Sequence, residues 1–146
     1  MKKQLIAIAA SFAASVMLAT GVHADFAKSK DYADGMFTDV PASEWYAASV
    51  KDAYEYGIMQ GDSGTTFSPN GTLTIAEGVT LAARIYENLN AKAIPDASGE
   101  WYTKYVNYAI ENGFLKDGRY EDYERTIKRS EMAELLADVC GELTAI

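Results

Sequence analysis

Two adjacent cations, Lys128 and Arg129, could together bind an anionic ligand. The chain is otherwise acidic, with 13 lysines and arginines against 21 aspartates and glutamates. A guanidinium can form two parallel hydrogen bonds to a carboxylate, and a helix N-terminus adds backbone N–H donors for the same anion. Two cations at a helix start oppose the helix dipole and cost about 0.3 to 1 kcal/mol. Their presence therefore favours anion binding over the alternative of solvated surface residues.

The tripeptide Glu44-Trp45-Tyr46 recurs as Glu100-Trp101-Tyr102. An indole face can stack on a sugar ring, but for tryptophans at duplicated positions of a small domain we favour packing in the core. The two glutamates could serve as the carboxylate pair of a glycosidase. Their equivalent positions in a repeated unit instead indicate a structural residue, so we predict that the protein is not an enzyme.

Catalytic and metal sites that need histidine are excluded once the first 24 residues are removed. His23 is the single histidine, so the mature chain has no Ser-His-Asp or Cys-His arrangement and no mixed zinc site. Asp62-Ser63-Gly64 and Asp117-Gly118 lack the alternating acids of a calcium loop. We predict no cofactor and no metal.

Residues 1–24 have the pattern of a signal peptide. Lys2 and Lys3 precede an apolar run at 5–19, and Val22-His23-Ala24 ends it. A membrane anchor is the alternative, but the run is shorter than the roughly 20 residues that a bilayer needs. Cleavage after Ala24 leaves 11 basic against 21 acidic side chains, a formal charge of −10. We therefore predict a secreted protein with no later transmembrane segment and no nucleic-acid partner.

The elements that position these residues are predicted to be four helices in two similar units. Gly57 and Gly113 each follow a tryptophan by twelve positions and mark helix ends. Apolar periodicity predicts helices over 46–56, from 74 to about 89, over 102–112 and over 129–141. Residues 25–36 form a polar arm that we expect to fray. Cys140 lies in the apolar pattern of the last helix, which favours a buried thiol, with intermolecular pairing as the alternative.

These residues resemble the surface-layer homology (SLH) repeat. The first copy runs Phe37-x-Asp39-Val40, Trp45-Tyr46, Ala53, Gly57-Ile58, Gly61, Phe67-x-Pro69 and Leu73-Thr74-Ile75-Ala76-Glu77. The second runs Asp96, Trp101-Tyr102, Ala109-Ile110, Gly113-Phe114, Gly118 and Ile127-Lys128-Arg129-Ser130-Glu131. The resemblance implies SLH repeats at 37–93 and 94–146 and an all-α fold of two helix-loop-helix units, packed as an incomplete three-fold prism.

The resemblance also implies a function. SLH repeats hold exported proteins to the cell wall by binding a secondary cell-wall polysaccharide, often one that bears pyruvate ketals. We therefore predict non-covalent anchoring at the bacterial cell surface. The alternative is a secreted interaction or self-assembly subunit, bound to an envelope protein or to itself, that has lost glycan binding.

The chain departs from the family's Thr-Arg-Ala-Glu turn. Isoleucine replaces arginine in the first copy, at Ile75, so we expect that groove to be silent. The second copy keeps the arginine at position 129, and the family's third copy is missing, so self-association could complete the fold. The resulting candidate ligand-binding residues are Arg129, Lys128, Ser130, Trp101 and Trp45.

The remaining motif residues are predicted to be structural. Thr74 and Glu77 have capping-box spacing, and Glu131 is an acid in a first helical turn. Asp39 and Asp96 are expected to fix the turn ahead of each tryptophan. The full structural set is Thr74, Glu77, Glu131, Asp39, Asp96, Gly57 and Gly113.

Overall fold

A computed structural model of the chain describes the fold of residues 27–144, with side chains described up to residue 141. The predicted signal peptide at 1–24 lies outside the described residues. Within them the regular structure is four helices and an isolated bridge between Thr74 and Thr126, so the all-α prediction is confirmed. The helices are α1 (Ala47–Glu55), α2 (Ile75–Asn90), α3 (Thr103–Glu111) and α4 (Arg129–Thr144).

The helix lengths repeat with the sequence. α1 and α3 have 9 residues each, and α2 and α4 have 16. Gly57 and Gly113 follow the short helices with φ of +70° and +84°, a conformation that glycine adopts without strain. α4 extends three residues past the predicted end at Gly141, because a glycine inside a helix costs only about 1 kcal/mol relative to alanine.

The start of α2 is closed by its capping box. The backbone N–H of Glu77 donates to Thr74 Oγ1 at 3.2 Å, and the backbone N–H of Thr74 donates to Glu77 Oε2 at 2.7 Å. Two donors that a helix start leaves unpaired are thus satisfied locally, as the spacing predicts.

α2 is the central element of the main core. It contacts α3 and α4, whereas the helix–helix contacts of the described residues do not include α1. α2 therefore shares one core with the second unit, and the two helix-loop-helix pairs do not pack as separate bodies. The buried residues of this core are Ile75, Val79, Ala82, Ala83, Tyr108, Ala109, Phe114, Leu115, Tyr120, Leu135 and Val139.

α1 has a smaller core of its own, to which the N-terminal arm contributes. Phe37, Val40 and Val50 are buried there, and Tyr32 and Met36 of the arm pack against them. The backbone N–H groups of residues 29 and 30 both donate to the carbonyl of Glu55 at the end of α1, at 2.8 and 3.1 Å. The expectation that the arm frays is therefore wrong for these residues, because the end of α1 supplies acceptors for the arm's backbone.

The loop before α4 covers the first turn of α2. The N–H groups of Ile75 and Ala76 donate to the carbonyls of Arg125 and Tyr123 at 3.0 and 2.9 Å, and Ile127 N–H donates to Leu73 O at 2.9 Å. This junction joins the two sequence units, and it leaves the first turn of α2 without the free backbone donors that an anion would need.

Cys140 is exposed, so the prediction of a buried thiol is wrong. Of its described side chains, α4 buries only Leu135 and Val139 against α2, so its buried face is narrower than its apolar sequence suggests.

No helix among residues 27–144 is long and apolar enough to cross a bilayer. That part of the chain also has no cluster of three or more histidine, cysteine or acidic residues placed to hold a metal ion.

Candidate functional site

The start of α4 presents Lys128, Arg129 and Ser130 to solvent. Arg129 is set apart from the other arginines of the described chain. Arg84 donates to Ile58 O and Tyr105 Oη, Arg119 pairs with two acids of α4, and Arg125 pairs with Glu131. Among the side chains that the structure describes, those of residues 27–141, no ion pair holds the Arg129 guanidinium, so it is available to a ligand.

Glu131 organises this turn rather than offering a free carboxylate. Arg125 donates to both of its oxygens, at 3.0 and 2.6 Å, and the Lys128 backbone N–H donates to Oε2 at 2.9 Å. The Arg125 guanidinium, and then the Lys128 N–H, lower the pKa of Glu131 from its ordinary 4.5 to about 2. Glu131 therefore stays ionised and holds the turn closed, which leaves Arg129 without an internal partner.

This pair makes the stability of the fold depend on pH. Because the pKa of Glu131 is lower in the folded state, its contribution is complete above about pH 4.5 and is lost as the pH falls toward 2. We expect wild-type protein to melt at a higher temperature than Glu131→Gln at pH 7, and the gap to close between pH 4.5 and 2. Thermal unfolding followed by circular dichroism at several pH values tests this, with Glu124→Gln as an exposed control. A gap that is constant over that range would contradict the pairing.

The equivalent position of the first unit, Ile75, is fully buried. It faces the main core beneath the loop that supplies the carbonyls of Arg125 and Tyr123. No cation can reach solvent from this position, which agrees with the expectation that the first turn lacks an anion-binding arginine.

A groove of about 420 Å³ nevertheless lies beside the first unit. The loop between α1 and α2 forms one wall, α2 contributes Thr80 and Arg84, and Trp101 from the second unit borders it. The groove thus lies between the two sequence units. Its apolar surface includes Ile58, Phe67, Pro69, Leu73 and Leu81.

Both tryptophans are exposed, so the preferred interpretation that they pack in the core is wrong. Trp45 is 88 % exposed and Trp101 is 53 % exposed. Each packs edge-on against the tyrosine that follows it, with ring centroids 5.5 Å apart. The two tryptophans have different surroundings, because Trp101 borders the groove and Trp45 does not.

The two aspartates of the duplicated turn also differ. The Asp39 carboxylate accepts from the N–H groups of Phe67 at 2.9 Å and Ser68 at 2.7 Å, and these donors lower its pKa. Asp39 therefore fixes the loop that forms the groove wall. The Asp96 side chain is 98 % exposed and pairs with Lys104 at 3.2 Å, so the first aspartate's role is not repeated there.

Three groups near the groove were missed by the sequence argument. These are Arg84, Gln60 and Lys30, which come together from α2, the loop after α1 and the N-terminal arm. The one available signal was a cation at position 84 within the apolar run of α2, flanked by Ala83 and Ile85.

Comparison with known proteins finds relatives among surface-layer proteins. Residues 37–77 match the model of the S-layer homology domain. The chain is 33 % identical over 107 residues to the S-layer protein sap of Bacillus anthracis, an alignment covering 70 % of this chain and 13 % of that protein. It is 32 % identical over 88 residues to the surface-layer 125 kDa protein of Lysinibacillus sphaericus, covering 57 % of this chain and 8 % of that one.

A third relative is the cellulosome-anchoring protein of Acetivibrio thermocellus, at 27 % identity over 110 residues, which covers 68 % of this chain and 25 % of the relative. The chain thus matches a small part of each of these longer proteins. S-layer homology domains are non-catalytic domains of cell-surface anchoring. With its domain match, its helical fold and its alignment to S-layer proteins, the chain is an S-layer homology domain protein of the cell surface.

Proposed function

We propose that this protein attaches to the cell envelope by binding a secondary cell-wall polysaccharide without a covalent bond. The two sequence units, residues 37–93 and 94–146, would act as one binding module, arranged as two members of a three-fold prism. Export past the membrane through the segment at 1–24 is part of the same proposal.

The observation that carries the proposal is that Arg129 is exposed and has no acidic partner among the side chains that the structure describes. The protein is acidic, and Glu131 is held by Arg125, yet Arg129 and Lys128 lie exposed at the first turn of α4. A guanidinium in this position can bind a carboxylate through two hydrogen bonds, and the helix N-terminus adds its dipole. Acidic substituents of a wall polysaccharide, such as pyruvate ketals, supply that carboxylate, and Ser130 can donate from the same turn.

A co-sedimentation assay with cell-wall sacculi tests this function. Wild-type protein should sediment with intact sacculi and stay in solution when the secondary polysaccharide has been stripped. Arg129→Ala should lower the affinity about tenfold to a hundredfold, because it removes hydrogen bonds from a charged donor. Lys116→Ala, which removes a different exposed cation, should bind like wild type.

Two results would overturn the proposal. Folded wild-type protein that fails to sediment would reject polysaccharide binding. Equal losses in Arg129→Ala and Lys116→Ala would show that net charge, and not the α4 turn, determines the binding.

A specific feature favours a second candidate function, assembly through protein contacts. The exposed face of α4 carries an apolar row at helical spacing. Of its counterparts on α2, Val79, Ala82 and Ala83 are buried in the main core, and Tyr86 is partly buried against that core. The row consists of Ala133, Leu136, Ala137 and Cys140. Sedimentation equilibrium under reducing conditions distinguishes this candidate, because a subunit that works by self-assembly would form oligomers that Leu136→Asp disrupts.

A further inference from the structure

The packing of α2 on α3 shows which surface covers the inner face of a long helix in this fold. α2 contacts α3, and its residues Val79, Ala82 and Ala83 are completely buried. On the α3 side, Tyr108 and Ala109 are buried in the same core. Each unit has one long and one short helix, and repeated units bury their apolar faces on neighbours of the same kind. The same contact can therefore form again where such faces are open.

The corresponding faces of α4 and α1 are open. When the long helices of the two units are aligned, the apolar row of α4 takes the positions of the α2 face, and all four of its members are exposed. When the short helices are aligned, Ser49 of α1 takes the position of Tyr105. Asp52 takes that of Tyr108, and both α1 residues are exposed. Among the helices of residues 27–144, α4 contacts α2 alone and α1 contacts none.

The polar groups of the two open faces match each other. In the contact of α2 with α3, Arg84 Nη2 donates to Tyr105 Oη at 3.1 Å. On α4 the position of Arg84 is taken by Asp138, an acceptor, and on α1 that of Tyr105 is taken by Ser49, whose hydroxyl can donate. Asp138 also accepts from Arg119 at 3.1 Å, and a carboxylate can accept several hydrogen bonds. A donor therefore still faces an acceptor if α1 lies on α4 as α3 lies on α2.

A second pair of positions gives the same result. The rings of Tyr86 and Tyr108 meet in the contact of α2 with α3, with centroids 6.0 Å apart. Cys140 on α4 and Asp52 on α1 take these positions, and a thiol is a weak donor to a carboxylate. The contact loses two aromatic rings by this exchange, so it is smaller than the internal one. We therefore expect weak association that depends on protein concentration.

We propose that a second copy of this chain covers the apolar row of α4, with its α1 lying on α4 as α3 lies on α2. The inference rests on the second candidate function, assembly through protein contacts, and names the surface that meets the row. The two faces differ, so a single contact leaves one α1 face and one α4 face open. Further copies can add at both ends, or the series of copies can close into a ring.

Two variants that each break one face test the contact by complementation. Leu136→Asp places a charge in the apolar row, and Ser49→Glu places a carboxylate opposite Asp138. In sedimentation equilibrium at about 10 µM to 1 mM protein, each variant alone should associate at least about tenfold more weakly than wild type. An equimolar mixture should form dimers, because each copy keeps the intact face that the other needs. Circular dichroism verifies that both variants are folded.

A short bis-maleimide, which joins two thiols, tests the register of the contact. Asp52→Cys should give a covalent dimer whose cross-linked peptides join the introduced cysteine to Cys140 of a second copy. Asn107→Cys, on the exposed side of α3, provides the control and should give little dimer. A wild-type dimer joined through two Cys140 thiols would place α4 against α4 and overturn the proposal. Equal yields from Asp52→Cys and Asn107→Cys would overturn it as well.

The outcomes for this contact and for the proposed functions differ. Oligomers that Leu136→Asp disrupts and Ser49→Glu does not would reject the contact with α1 and keep assembly through α4. Wild-type protein that stays monomeric but sediments with sacculi would reject assembly and keep the polysaccharide anchor. Association restored in the mixture, without sedimentation on sacculi, would reject the anchor and keep the contact.

Discussion

Replacement of Ile75 with arginine is expected to destabilise the fold by about 4 kcal/mol or more. Ile75 is completely buried in the main core, so the new guanidinium would have to enter without a counter-ion or displace the loop before α4. Natural domains have a total stability of about 5 to 15 kcal/mol, so a loss of this size removes a large part of the free energy of unfolding.

The matched control is the opposite exchange in the second unit. Arg129→Ile places the same side chain at the equivalent position of α4, which is exposed, and should change stability by less than about 0.5 kcal/mol. Urea unfolding followed by circular dichroism measures both changes. A stable Ile75→Arg protein would show that the first turn of α2 can open toward solvent, contrary to the packing described here.

The difference in burial between positions 75 and 129 explains why the first unit has isoleucine where the family's turn has arginine. An arginine at position 129 costs little because its side chain extends into water. At position 75 the junction with residues 123–127 takes up the backbone donors and covers the side chain. Isoleucine at that position therefore contributes to the core. Its replacement by arginine lowers the stability of the fold and does not create an anion-binding site.

Gly61→Ala is expected to cost about 3 kcal/mol of stability. Gly61 has φ of +80°, which an alanine adopts only with strain, and its new Cβ would lie 2.6 Å from the Thr66 carbonyl oxygen and 2.9 Å from Phe37 Cε1. The backbone carbonyl cannot move aside without breaking the loop that Asp39 holds, so the wall of the groove and the small core around Phe37 should both be disturbed.

Two other glycines separate the causes. Gly118 has φ of +70° but open space around a built Cβ, so Gly118→Ala should cost only about 1 kcal/mol. Gly64 has neither constraint, and Gly64→Ala should be close to neutral. Melting temperatures should therefore fall in the order Gly64, Gly118, Gly61, with a shift of roughly 10 °C for the last. Equal melting temperatures for the three variants would contradict the steric account.

The sequence alone determined the helices of this protein, because their signals are local. These signals are the apolar spacing, the glycines after the short helices and the capping spacing of Thr74 and Glu77. Each acts within a few residues of chain, so together they predicted four helices with ends correct to within three residues. Composition likewise identified an acidic protein with few options for catalysis, and the motif order identified the SLH family.

The tertiary structure decided which side chains meet and which reach solvent. The tryptophans and Cys140 have the apolar character of core residues, yet neighbouring segments bury other side chains instead. Asp39 and Asp96 occupy equivalent positions in sequence, but only the Asp39 carboxylate accepts hydrogen bonds from the backbone of a loop, at Phe67 and Ser68. Lys30, Gln60, Arg84 and Trp101 come from four separate segments, and burial and charge pairing depend on such long-range contacts, which no short-range pattern encodes.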